Sequence, residues 1–125
     1  MSNPVGWFDI FVTDMDRAKT FYESVLNIQL DDMGDPSDES IVMKTFPSDM
    51  SQYGATGALV KMEGVPVGQN SVVVYFSCED CSVEASRVES ASGKVVRPKY
   101  SIGEYGFVAL VTDTEGNMLG LHSRI

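Results

Sequence analysis

The same order of chain segments occurs twice, 66 residues apart, and few folds accommodate that plan. The segment VGWFDIFVT, from Val5, is dense in aromatic and β-branched residues and runs into Asp14, so it reads as a strand feeding a capped helix. Beyond it Met15, Ala18, Tyr22, Val25 and Leu26 recur at helical spacing, opposite a polar face of Asp16, Arg17, Lys19 and Glu23. Asn27, which tolerates the left-handed conformation, suits the C-cap. SVVVYFS and a helix from about Cys81 to Ser92 repeat the plan: Asp14 falls on Asp80, Met15 on Cys81, Tyr22 on Val88, Val25 on Ala91 and Asn27 on Gly93.

Three strands follow each helix. In the first half they are Ile28 to Met33, Ser40 to Phe46 and Gly57 to Met62, separated by the acidic turn GDPSDE and the polar loop PSDMSQYGAT. In the second they are KVVRP, GFVALVTD and NMLGLHS. The connector EGVPVGQN carries turn formers and is expected to hold no regular element. The chain therefore reads as α+β, one domain over residues 1–125, with module one at about 4–63 and module two at about 70–125. A chain of this length buries roughly two thirds of its unfolded surface, enough for one core.

Apolar residues make up 43% of the chain and charged residues 22%, a globular balance. Nine basic against eighteen acidic side chains give a net charge of -9, which repels nucleic-acid backbones and anionic lipid surfaces, so neither is an expected partner. The amino terminus, MSNPVGWFDI, has neither a positive n-region nor an apolar h-region, and the expected location is the cytoplasm. Cys78 and Cys81 stand three apart with Glu79 and Asp80 between them. One histidine and no further cysteine cannot complete a structural zinc site, and acidic neighbours oppose thiolate formation. Two reduced thiols at a strand-to-helix junction are expected.

Two motifs carry a resemblance. FVTDMDRAKTFYESVLN resembles the opening strand, capped helix and FY pair of glyoxalase/bleomycin-resistance domains, and FVALVTDTEGNMLGLHS resembles their closing hairpin, with Thr114 where Pro is common. VRPKYSIGEYG also has its usual place in the branch of uncharacterised proteins named as lactoylglutathione-lyase-related. The resemblance, to the vicinal oxygen chelate superfamily, implies two βαβββ modules with curled mixed sheets around a cavity, helices outside, and a homodimer. Strand alternation then assigns faces. Phe8, Ile10, Val12, Leu119 and Leu121 pack toward the helices, while Trp7, Asp9, Phe11, Val73, Tyr75, Ser77, Met118, Gly120 and His122 face the cavity.

Metal-dependent members of that family bring ligands from the first and last strand of each module. Counting from the caps and the Gly116 turn puts those positions on Trp7, Val73 and Gly120, with the fourth at Gly57, Leu59 or Lys61, and none is a normal ligand. No metal and no cofactor are expected. The leading expectation is a small-molecule binding protein contacting its ligand through Trp7, Phe11, Tyr75, Lys99, Met118 and Gly120. Arg97 and Lys99 could form a cationic rim or a solvated pair, and Trp7 and Tyr75 could instead simply fill the space. The alternatives are a lyase or isomerase-like enzyme using Asp9 or His122 as acid or base, a metal-dependent enzyme with a displaced site, and an interaction domain without a pocket.

Overall fold

The computed structural model describes residues 3–33, 40–49, 51–68 and 70–125; the expected acidic turn at 34–39 lies outside them. Module one comprises β1 (Phe8–Phe11), α1 (Met15–Leu26), β2 (Asp31–Met33), β3 (Ile41–Thr45) and β4 (Gly57–Met62). Module two comprises β5 (Val74–Ser77), α2 (Cys81–Ser86), β6 (Lys94–Ser101), β7 (Phe107–Thr112) and β8 (Met118–Ser123), with one 3₁₀ turn at Gly103–Tyr105. The strand orders are β1-β4-β3-β2 and β5-β8-β7-β6, so the repeated pattern is a repeated topology. In each sheet the first strand runs parallel to the last and the other pairs are antiparallel. Neither sheet closes on itself.

The first helix follows its sequence signals. Asp14 accepts from the Arg17 N–H at 3.0 Å, and Asn27 ends the helix at φ 55, ψ 52. Its buried stripe is Met15, Ala18, Phe21, Tyr22 and Val25. The second helix stops at Ser86, well short of Ser92. Hydroxyls compete with its ladder, Ser86 donating to the Val83 carbonyl and Ser90 to that of Arg87, and the chain tightens into turns with bonds three residues apart. The left-handed residue is Ser92 at φ 74 and not Gly93. Gly93 is needed for space, since a β-carbon there would lie 2.4 Å from the Phe21 ring and 2.6 Å from the Thr112 carbonyl.

One core joins the modules. It takes Ile10 and Leu59 from sheet one, Val12 from the link between β1 and α1, Ala109, Val111, Leu119 and Leu121 from sheet two, and the buried faces of both helices. Phe8, Tyr22, Phe46 and Phe76 stack edge-on or tilted between them, with centroids 5.4–6.0 Å apart. Each fully buried leucine here contributes roughly 1.5–3 kcal/mol.

The closing hairpin of module two is pinned onto module one. Tyr22 donates to Asp113 at 2.7 Å, Asn117 donates to the Phe11 carbonyl at 3.0 Å, and Glu115 accepts from the N–H groups of Thr13 and Asp14, both at 2.8 Å. Arg17 pairs with the same Glu115 at 2.7 Å. The acidic and amide residues of DTEGN are thus spent on holding the two modules together. Among the described residues no helix is long and apolar enough to cross a membrane.

Candidate functional site

Each sheet has one face on the core and one turned away from the helices, and strand register fixes what the second face carries. On sheet one the rows are Asp9, Ala58, Thr45, Asp31 and then Phe11, Val60, Met43, Met33. On sheet two they are Tyr75, Gly120, Leu110, Arg97, then Ser77, His122, Val108, Tyr100, and a shorter row of Met118, Thr112 and Lys94. Ala58, Val60 and Val108 are buried yet stand outside the common core, as residues of this second face should.

Asp9, Phe11, Tyr75, Met118, Gly120 and His122 therefore lie on the faces that alternation assigned to them. Trp7 precedes β1, is 43% exposed, and donates its indole N–H to Asp9 at 2.9 Å. It does not plug a dry interior. Tyr75 is half-exposed and its ring lies over Gly120. The ring nitrogen Nε2 of His122 sits 2.8 Å from the Tyr105 carbonyl. A carbonyl only accepts, so Nε2 carries the proton and neutral His122 presents Nδ1 as an acceptor.

Lys99 does not join them. A bulge in β6 turns it to the helix side, where its ammonium pairs with Asp80 at 2.9 Å and lies over the Phe107 ring. The Lys99 ammonium and Ser82 together hold Asp80 at about 2. The second face carries instead Lys94 and Arg97, and the Arg97 guanidinium lies 3.6 Å from the Tyr100 ring centroid. Tyr100 and Leu110 were not among the expected contacts; for Tyr100 the two register shifts in β6 cannot be read from alternation, whereas Leu110 lies on the regular strand β7. Asp9 stands on edge strand β1 of sheet one and His122 on an inner strand of sheet two, and no hydrogen bond joins them: Asp9 is held by Trp7 and His122 by the Tyr105 carbonyl.

The donor positions also need a correction. Gly57, Leu59 and Lys61 pair in register with Phe8, Ile10 and the Val42 row, on the helix side. The residue of β4 that stands to β1 as Gly120 stands to β5 is Ala58. The set becomes Trp7, Ala58, Val73 and Gly120, and the Trp7 N–H is already donated to Asp9. This set has no lone pair to offer a divalent ion, so the metal of the metal-dependent family members does not fit there. Among the described residues no group of three or more His, Cys, Asp or Glu side chains is placed to hold one.

An open groove of about 550 Å³ lies elsewhere, between the start of α1 and Val42, Lys44 and Lys61. It is on the helix side and carries both signs of charge, with Lys44 paired to Asp32 and Arg17 to Glu115. None of the residues expected to contact a ligand lines it.

A two-module α+β domain whose helix-averted faces carry aromatic and polar side chains, with no metal donor at Trp7, Ala58, Val73 or Gly120, defines the class. The sequence profile of the glyoxalase/bleomycin resistance protein/dioxygenase superfamily matches residues 5–121, and the chain belongs to that superfamily. It is 29% identical over 119 residues to "Putative glyoxylase CFP32" of Mycobacterium bovis and of Mycobacterium tuberculosis; the match takes in 93% of this chain but 44% of those proteins, so the chain spans less than half their length. Among solved structures it is similar in fold to glyoxalase I from Zea mays, with TM-score 0.74, 20% identity, and coverage of 97% of this chain and 46% of that one. A glyoxalase/bleomycin resistance protein from Albidiferax ferrireducens T118 gives TM-score 0.70 at 17% identity, covering 98% and 100% of the respective chains.

Proposed function

We propose that the chain binds a small organic molecule on the helix-averted face of sheet two, with Trp7 and Phe11 as further contacts, and that it does so without a metal. The observation that carries this reading is the half-exposed Tyr75 ring laid over Gly120 beside Leu110 and His122, an apolar platform with a polar tip. Superfamily membership supports a ligand on these faces, and the donor-free set at Trp7, Ala58, Val73 and Gly120 supports its metal independence. The free edges β1, β2, β5 and β6 favour a homodimer that covers some of them, and two thiols left unbonded fit a cytoplasmic location.

N-phenyl-1-naphthylamine, whose emission rises on an apolar surface, tests the reading. Wild type should bind it saturably, and Tyr75→Ala should weaken binding severalfold, in line with about 0.5–1.5 kcal/mol for an aromatic pair. No saturable signal from wild type would overturn the proposal. A thermal-shift titration with Ni, Zn, Mn and Fe tests the second half: a stoichiometric ion that raises Tm by mass action would overturn metal independence.

A second reading, an acid–base enzyme, is favoured by one observation. The Tyr105 carbonyl fixes the His122 tautomer, so that Nδ1 is left to accept a proton from a ligand on the same face. Asp9 is the weaker candidate, already held by the Trp7 N–H.

A further inference from the structure

We infer that the second face of sheet two selects organic anions bearing a flat ring system, with Arg97 as the residue that recognises the anionic group. The inference rests on the binding proposal above and specifies its ligand class.

Three features of the face point this way. Arg97 stands in the same cross-strand row as Leu110, Gly120 and Tyr75, so a cation and an aromatic ring bound one apolar strip. Four neighbouring strands span three spacings, about 14 Å at the backbone. With the Tyr75 ring over Gly120, the strip left open is of the order of a fused pair of rings.

Arg97 is also poised. Its guanidinium lies over the Tyr100 ring at 3.6 Å, which occupies one flat side and leaves the in-plane N–H donors for a carboxylate or sulfonate. Among the described residues Arg97 has no carboxylate partner, a state it shares with Lys94 on the same face, so no ion pair has to be broken for it to meet an anion.

The face has a sign opposite to that of the protein. Its three rows contain the cations Arg97 and Lys94 and not one Asp or Glu, in a chain of net charge -9. An anion is repelled by most of the surface and attracted here, which directs it to this strip.

The test uses two probes that differ by one group: 8-anilinonaphthalene-1-sulfonate and the uncharged N-phenyl-1-naphthylamine. Arg97→Gln should weaken the sulfonate about tenfold and the neutral probe less than twofold, the loss of one charge-assisted contact. Arg97→Lys should fall between, because charge survives and the stacked fork does not. Unchanged urea midpoints show that the variants are folded. Salt gives a check on the wild type alone: 0.5 M NaCl should weaken the sulfonate if a local cation holds it, and strengthen it if it meets only the net negative field. Equal weakening of both probes by Arg97→Gln, no weakening of either, or tighter sulfonate binding in salt would overturn the inference while leaving the binding proposal in place. Failure of both probes to bind wild type would overturn both.

Discussion

A β-carbon added to Gly120 would lie 2.2 Å from Cδ1 and 2.3 Å from Cε1 of Tyr75, its register partner across β5 and β8. The glycine is therefore the seat of the tyrosine ring. Gly120→Ala must swing that ring off the sheet. Because the ring is 52% exposed and can move, the expected loss is about 1 kcal/mol, the low end for overpacking. In a Tyr75→Ala background the same change should be neutral or slightly stabilising, since alanine restricts the unfolded chain more than glycine does. Urea unfolding of the four proteins gives the coupling directly. An equal effect of Gly120→Ala in both backgrounds would show that the two residues do not depend on each other.

Tyr22 is buried and donates to Asp113, which also accepts from the N–H groups of Glu115 and Asn117. Burial first, and then the Asp113 carboxylate, push the Tyr22 phenol well above its ordinary value. Stability tied to that shift is complete below pH 10 and is lost as pH rises beyond it. Tyr22→Phe should cost about 1–3 kcal/mol at pH 7 by depriving a buried carboxylate of a donor. In the native protein, absorbance at 295 nm should show one tyrosine of the five that ionises only on unfolding. Full titration of all five near pH 10 without loss of structure would contradict the geometry.

Legibility in the sequence followed the physics of each element. Asp14 and Asp80 announced two helix starts because a short acceptor side chain before an apolar stripe has few other uses, and both cap their helices. Alternation placed Asp9, Tyr75 and His122 on the correct faces because those strands are regular. Lys99, an expected ligand contact, is turned away by a bulge in its strand, and at the fourth donor position Gly57, Leu59 and Lys61 were one residue out of phase with Ala58. A single-residue slip inverts every side chain, so a strand with weak alternation such as GALVKM gives no warning in the sequence. The end of α2 was misplaced because the serine hydroxyls that unwind it leave its apolar spacing untouched. The polar ties of DTEGN to module one are long-range, and no local pattern encodes which partner Asp113 or Glu115 will meet.

Cys78 and Cys81 give a prediction about reactivity. Cys81 is fully buried, and burial followed by the nearby Glu84 carboxylate pushes the Cys78 thiol up to about 12. At pH 8 Cys78 would then be thiolate in roughly one molecule in ten thousand. Neither thiol should react with a disulfide reagent on the timescale of a free cysteine until the protein is unfolded, when both should. Glu84→Gln removes part of the shift and should speed Cys78 alone. Rapid labelling of native wild type at both positions would contradict the packing of this junction.

Glu115 gives the prediction with the clearest dependence on pH. Burial raises its pKa, but the Arg17 guanidinium, the N–H groups of Thr13 and Asp14 and the Thr114 hydroxyl together outweigh that and bring it to about 2, from an ordinary 4.5. The depressed value belongs to the folded state, so the stabilisation is complete above pH 4.5 and is lost as pH falls toward 2. Other carboxylates, Asp80 among them, add acid sensitivity of the same sign, so the informative quantity is the difference between wild type and Glu115→Gln. That variant should be less stable by about 1–3 kcal/mol at pH 7. The gap should shrink through pH 4.5 to 2 as wild type loses what the variant never had. Arg17→Ala should reproduce only part of the gap, because the two backbone donors remain. A gap that stays constant down to pH 2 would mean that Glu115 acts by packing and not by charge, and the joint between the modules would have to be assigned to Tyr22, Asp113 and Asn117 alone.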